Sequence, residues 1–333
     1  MNVFVTGGSG FVGQNIIPVL IENGYTVYAL ARSESSANKV SRIGAIPIFD
    51  DLTDLGSNTL KALASCEFVL HSAAHMDFTY DPTPFYAINV MATRNLLEMA
   101  KQQRVKHFVY ISAAPVVPGS PIINLTEDQA KEGLPKALYP KTKAIAEKAV
   151  LAANDTQMRT LSLRPPAIWG PDNHHYKEIF SRVKKGQWRW IGGGTHILST
   201  IHVKNLANAV LAAFNSSQGG KAYFVTDGDQ RPIKKTFSSI LQAYGLEAGD
   251  KSLPRPVAVI ASHIIGRIWK TFQINGRPPV APIMIRLMGT EFSVSDAKAR
   301  LELGYKNALS FEEGITNLSK QDHDQIFSFR NND

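Results

Sequence analysis

Thr6-Gly7-Gly8-Ser9-Gly10-Phe11-Val12-Gly13 is the stretch whose reading decides the fold. It follows a short β-branched run, Val3-Phe4-Val5, and leads into apolar residues at three- and four-residue spacing from Phe11 to Asn23. Glycines 7, 10 and 13 stand where a side chain would block a tight strand-to-helix turn, the approach of a pyrophosphate, or close packing of helix on sheet. The helix start then offers free N–H groups and a positive dipole end to an anion. At the first junction of an alternating strand–helix pattern, this reads as a dinucleotide cradle, with Ser9, Phe11 and Val12 among its contacts.

Working outward, further strands are expected at Thr26–Leu30, Ile46–Phe49, Phe68–Leu70, Phe108–Ile111 and Met158–Leu163, separated by helical patterns such as 85–103. Strands apolar on both faces and alternating with helices argue for a parallel sheet covered on both sides. The expected fold is α/β, a doubly wound parallel sheet (Rossmann fold) with a smaller, discontinuous C-terminal substrate-binding cap. The expected division is 1–170 for the core, with a segment returning near 198–230 through Ala222–Val225. The cap would take 171–197 and 231–325, and 326–333 would be a flexible tail.

The chain has 333 residues, 44% hydrophobic and 19% charged, which suits a folded enzyme and excludes global disorder. Its net charge of +8 is spread without a long basic run, so no nucleic-acid partner is expected. One cysteine, Cys66, excludes an intrachain disulfide and a Cys-based metal site, and the early first strand leaves no room for a signal peptide, so a cytoplasmic protein is expected. The most apolar segment, Val257–Trp269, is interrupted by His263 and Arg267. It reads as a buried or groove-lining helix, with an interfacial helix giving weak membrane-surface association as the alternative. His174 and His175 read as surface or pocket residues and no metal is expected. Trp169, Trp188 and Trp190 read as cap core, and the absence of a Gly-x-Ser-x-Gly elbow argues against a hydrolase.

The second strand ends Leu30-Ala31-Arg32-Ser33, with no carboxylate for a ribose 2′-OH. Arg32 and Ser33 would instead hold a 2′-phosphate, which favours NADP(H) over NAD(H). Tyr139 and Lys143 lie four apart on one expected helix face. An ammonium beside a phenol lowers its pKa from near 10, which makes the pair an acid/base candidate.

With these pieces, the chain resembles the extended short-chain dehydrogenases/reductases along nearly its whole length. The matching residues are the cradle, Asp51-Leu52 after the third strand, His71-Ser-Ala-Ala74 after the fourth, Asn89, Tyr139/Lys143 and Leu163-Arg-Pro-Pro-Ala-Ile-Trp-Gly-Pro171. Ser199–Val203 and Gly289–Asp296 look most like the 3β-hydroxysteroid dehydrogenase branch. The resemblance implies that Tyr139 is the acid/base and that Lys143 lowers its pKa and holds the nicotinamide ribose. It implies that Asp51 and Leu52 flank the adenine, and that Ala73, Ala74 and Asn89 border the cofactor. Pro165, Ala167 and Ile168 would face the nicotinamide. It also implies a homodimer through helices of the Rossmann half.

One departure stands out. The family places Ser or Thr three residues before the Val of Ile111-Ser112-Ala113-Ala114-Pro115-Val116-Val117, and here that place is Ala114. Ser112 faces the same side about 7 Å away along an extended backbone and is the candidate substitute; Thr142, a water or a donor on the substrate are alternatives. The function expected is interconversion of a carbonyl and a secondary alcohol on an apolar or sterol-like small molecule. The rivals are a nucleotide-sugar epimerase or dehydratase of the same superfamily, and a non-catalytic NADP(H)-binding regulator.

Overall fold

The computed structural model describes residues 1–77, 80–173, 176–272, 274, 285 and 288–320; the expected tail at 326–333 and the pair at 174–175 lie outside these. The strands are β1 (Asn2–Thr6), β2 (Thr26–Ala31), β3 (Ile46–Phe49), β4 (Phe68–His71), β5 (His107–Ile111), β6 (Ile122–Leu125), β7 (Arg159–Arg164), β8 (Ala167–Trp169), β9 (Trp190–Ile191), β10 (Thr200–His202), β11 (Lys221–Phe224), β12 (Ser252–Leu253) and β13 (Phe292–Val294). Seven of them form one parallel sheet in the order β11-β7-β5-β4-β1-β2-β3. The remainder pair two by two as β10-β8, β12-β9 and β13-β6.

The helices are α1 (Phe11–Glu22), α2 (Glu34–Arg42), α3 (Ser57–Ala64), α4 (Ala92–Gln102), α5 (Leu138–Ala152), α6 (Tyr176–Lys184), α7 (Val203–Asn215), α8 (Ile233–Ala243), α9 (Arg255–Thr271), α10 (Ala297–Leu303) and α11 (Phe311–Ser319). Alternate residues of β1 serve both layers. Val3 and Val5 pack with Ile16, Leu20, Val210 and Phe214, whereas Phe4 packs with Leu96, Phe108 and Ala146. This two-sided burial is why the strands read as continuous apolar runs rather than alternating ones. Pro47 is tolerated because β3 lies at the sheet edge.

β1 sits between β4 and β2, so the chain leaves the C-terminal ends of β1 and β4 in opposite directions and a crevice opens between them. A third apolar cluster joins Ala114, Trp169, Trp190, Phe237, Phe292 and Phe311 beyond those strand ends, so Trp169 and Trp190 are core residues.

Two elements differ from expectation. The helix expected over 85–103 is a π-helical turn, Phe85–Met91, running into α4, and the wider turn carries Asn89. Helix α9, expected as a buried or groove-lining helix, is buried on one side only: Ala258, Ser262 and Gly266 are buried and Val259, Ile265 and Trp269 half-buried, while Val257, Ile260, Ile264 and Ile268 are exposed. No helix among the described residues is long and apolar enough to cross a membrane.

Candidate active site

The cradle is tight on the protein side and open on the other. Gly7 has φ +73°, and a Cβ there would meet Ala73 N at 2.7 Å, so the turns after β1 and β4 close on each other only because residue 7 is glycine. At Gly13 a Cβ would collide with Gly7 O and lie 2.5 Å from Gly8 Cα, all backbone. At Gly10 it would meet only Gly7 O, at an ordinary 3.4 Å. Gly10 is also the N-cap of α1 and offers no side-chain cap, so the first helical N–H groups are left to a ligand. Ser9 supports the loop from behind by accepting Gln14 Nε2–H on its carbonyl at 2.8 Å.

These contacts predict opposite phenotypes for two alanines. Gly13→Ala should lower the melting temperature, at a cost of about 1–3 kcal/mol, because backbone must move. Gly10→Ala fits the observed φ of −85° and should lose at most about 1 kcal/mol of cap preference. It should nevertheless weaken dinucleotide binding tenfold or more, because its methyl group enters the open side. Thermal melts and a fluorescence titration separate the two.

At the end of β2, Ala31 is buried while Arg32 and Ser33 are exposed. The Ser33 hydroxyl caps α2 by accepting Ser36 N–H, so it is partly committed to its own helix. Arg32 makes no hydrogen bond or ion pair among the described residues. Asp51 accepts from Thr53 N–H at 2.8 Å and Thr53 O–H at 2.6 Å, and these bonds, with Arg32 contributing less, hold its carboxyl below the usual range. Leu52 packs against the same cluster as Leu30.

A relay of hydrogen bonds ties the cradle to α5. Thr93 O–H donates to Asn89 O at 2.8 Å, so Thr93 Oγ1 accepts from His71 Nε2 at 2.7 Å. His71 Nδ1 then accepts from Thr6 O–H at 2.6 Å, and Thr6 Oγ1 accepts Ala73 N–H at 3.2 Å. Burial, with the Lys143 ammonium adding to it, pushes His71 down to about 3, so the imidazole is neutral. Asn89, expected as a cofactor contact, is 1% exposed and its amide is committed to protein: it bonds His75 N–H and O and donates to Thr142 Oγ1 at 3.0 Å. Thr142 in turn donates to the first turn of α5. Asn89 is therefore a brace, and Thr142 has no hydroxyl hydrogen left for a substrate.

Lys143 is 1% exposed; its Nζ donates to Ile111 O at 2.6 Å and lies 4.0 Å from the centroid of the Tyr110 ring. Burial pushes this ammonium down to about 7, opposed by Glu147 one turn on. Glu147 is itself held by Ser162 O–H at 2.7 Å and by Arg164 at 2.6 Å. The half-buried Tyr139 behaves oppositely to the expectation that Lys143 lowers its pKa. Burial pushes its phenol up to about 12, since Nζ is turned under the end of β5. The hydroxyl of Tyr139 has no hydrogen-bond partner among the described residues.

Ala114 is fully buried, with its N–H on Pro165 O at 2.8 Å. It packs in the apolar cluster that includes Val116 and Val117 and that Tyr139 borders. Ser112 is 3% exposed, and its Oγ is buried without a partner, as is the hydroxyl of Tyr110. Tyr110 and Ser112 face α5 together, since side chains two apart share a strand face. Tyr110 was not legible as a site residue, because an aromatic inside an apolar strand reads as core. Pro165 is buried, while Ala167 and Ile168 are half-buried in β8, which pairs with β10. The free α1 end, the open side of Gly10, the unpartnered Ser112 Oγ and an ammonium with a single oxygen acceptor together fit a nicotinamide dinucleotide. No cluster of three or more metal-ligating side chains occurs among the described residues.

The sequence pattern of the 3-beta hydroxysteroid dehydrogenase/isomerase family matches residues 4–255. A 4-hydroxy-2-methyl-3-oxo-4-farnesyl-3,4-dihydroquinoline-1-oxide ketoreductase of Stigmatella aurantiaca is 34% identical, covering 96% of this chain and 96% of that protein. A decarboxylating sterol-4-alpha-carboxylate 3-dehydrogenase of Dictyostelium discoideum is 34% identical, covering 95% and 99%. A 2-alkyl-3-oxoalkanoate reductase of Stenotrophomonas maltophilia is 32% identical, covering 96% and 98%. Among solved structures, the UDP-glucuronic acid 4-epimerase of Bacillus cereus in complex with NAD shares the fold, with a TM-score of 0.74, 19% identity and 99% and 100% of the two chains covered.

Proposed function

The chain belongs to the 3-beta hydroxysteroid dehydrogenase/isomerase family, and from that premise we propose that it is an NADP(H)-dependent reductase turning the ketone of an apolar, alkyl- or sterol-type substrate into a secondary alcohol. The observation that carries this reading is a protonated phenol on an apolar wall, with a buried lysine one helical turn on: Tyr139 borders the cluster of Ala114, Val116 and Val117, and Lys143 follows it on α5. Tyr139 is protonated at neutral pH and is the assigned proton donor for carbonyl reduction, although burial, which pushes its phenol up, makes it a weaker acid than an exposed tyrosine. The names of the three relatives support the substrate class, since they join a carbonyl or alcohol oxidoreduction to a farnesyl, sterol or alkyl group.

The cofactor, when bound, supplies the hydride. Gly7, Ser9, Gly10, Phe11, Val12 and Gly13 hold its pyrophosphate, Arg32 and Ser33 a 2′-phosphate, and Asp51 and Leu52 the adenine. Ala73 and Ala74 border its path, Lys143 binds the nicotinamide ribose, and Pro165, Ala167 and Ile168 back the nicotinamide. With Ala114 lacking a hydroxyl and Thr142 committed, Ser112 is the candidate that remains of these three for the substrate oxygen.

The test is oxidation of NADPH with long-chain 3-oxo acids and 3-ketosteroids, run beside UDP-glucose. Reduction of the ketones is the expected result. Conversion of the nucleotide sugar without net cofactor change, or tight NADPH binding with no turnover of any ketone, would overturn it. Arg32→Ala should lower kcat/KM for NADPH by about 10- to 100-fold, the worth of a charge-assisted hydrogen bond, and leave NADH little changed. Equal loss with both cofactors would remove the 2′-phosphate assignment.

A further inference from the structure

The buried ammonium of Lys143 rests on an aromatic face. Its Nζ lies 4.0 Å from the centroid of the Tyr110 ring and donates to Ile111 O at 2.6 Å. An ammonium has three N–H donors and no acceptor. With one on the carbonyl and the ring covering a second direction, a single N–H is left for a ligand. The ring itself is fixed. Tyr110 is fully buried, and opposite it in the register of β4 and β5 stands His71, whose ring stacks on it at 5.4 Å and 28°. The His71 imidazole is held at both nitrogens, by Thr6 on one side and Thr93 on the other. A line of contacts therefore runs from the cradle at Thr6 through His71 and Tyr110 to Lys143.

The other titratable groups that face Lys143 do not supply what the ring does. Glu147, one turn on in α5, favours the ammonium, but its carboxylate is taken by Arg164 of β7 at 2.6 Å and by Ser162 at 2.7 Å. His71 of β4 is neutral, and Tyr139, one turn back in α5, keeps its proton at neutral pH. The face of an aromatic ring carries negative potential and attracts a cation, most strongly where water is excluded. The hydroxyl of Tyr110 has no hydrogen-bond partner among the described residues, so the contacts of this side chain are made by its ring.

We propose that Tyr110 is a positioning residue, the face of its ring seating the Lys143 ammonium and aiming the one remaining N–H at the nicotinamide ribose. The aim at the ribose rests on the cofactor site proposed above; the seat for the cation does not. A cation held in this way is harder to deprotonate, which melting curves from about pH 5 to 9 read without cofactor or ketone. The folded chain releases the Lys143 proton near 7, and stability rises with pH from there because the unfolded chain still holds it. Tyr110→Leu removes the aromatic face, so the folded chain should release the proton earlier and the rise should begin about one pH unit lower. Tyr110→Phe should restore the wild-type onset. Tyr110→Phe made with phenylalanines of rising fluorine content keeps the shape and drains the face, so its onset should fall stepwise even where the leucine variant does not fold. In a fluorescence titration, NADPH should bind Tyr110→Leu about tenfold more weakly and Tyr110→Phe as it binds the wild type. An onset that stays in place through the leucine and fluorinated variants overturns the proposal. So does a Tyr110→Phe variant that behaves like Tyr110→Leu, since the hydroxyl would then be the group at work. A shifted onset with unchanged NADPH affinity keeps the seat and overturns the assignment of Lys143 to the ribose.

Discussion

Tyr139→Phe is expected to lower kcat for ketone reduction by about 10²- to 10⁴-fold, the usual share of a positioned general acid, while leaving NADPH affinity and the melting temperature near those of the wild type. The stability half follows from the structure. The ring of Tyr139 packs against the cap-side cluster, and Phe keeps that packing. Its hydroxyl has no protein hydrogen bond among the described residues to lose. The kinetic half follows from the chemistry. A phenol pushed up to about 12 by burial is a proton donor throughout the physiological range, and Phe has no proton to give. Steady-state rates with NADPH and a fluorescence titration of the same samples make the comparison. A variant as fast as the wild type would show that the proton comes from elsewhere.

The second large effect concerns Lys143, where function and stability should move in opposite directions. Lys143→Met should cut kcat/KM by about 10²- to 10³-fold, as removal of a buried electrostatic donor does, and yet melt above the wild type at pH 7. The reason is the cost of the buried charge. The ammonium is 1% exposed with one backbone oxygen as partner, and replacing such a charge with a well-packed apolar chain is often stabilising by about 1–4 kcal/mol. The pH dependence has a definite sign. The folded chain releases this proton near 7, whereas the unfolded chain keeps it until near 10. Between those values the unfolded state binds more protons, so wild-type stability rises with pH, by on the order of 4 kcal/mol across the window. The Met variant should lack that rise. Above pH 10 the raised phenol of Tyr139 works the other way in both proteins, because there the folded state holds the extra proton. Melting curves from pH 6 to 10 decide the matter, and parallel curves would mean that Lys143 is not the titrating group.

Much of the fold is legible because its signals are local. Glycine spacing, β-branched runs and the strand–helix rhythm each reflect constraints within a few residues, and the seven sheet strands lie where those signals point. The candidate site was legible only as far as side-chain type predicts role. Asn89 and Thr142 are both polar and both near Tyr139 in the fold, yet hydrogen bonds to His75 and to the first turn of α5 make them braces. Tyr110 carried no signal at all, although its ring lies under the Lys143 ammonium. Helix α9 shows the same limit from the other side, since apolar content alone cannot say which way a helix faces.

By itself, the sequence of Thr6 to Gly13 determined that a tight strand-to-helix turn follows the first strand, because only glycine satisfies backbone crowding at residues 7 and 13, and that demand is written in the chain. Tertiary structure alone decided the electrostatics of the site. Tyr139 and Lys143 are ordinary titrating groups in an extended chain. Enclosure by β5, α5 and the cap-side cluster strips water from both, raising the phenol and lowering the ammonium. Desolvation depends on every neighbour that excludes water, and most of those neighbours lie far away in the sequence.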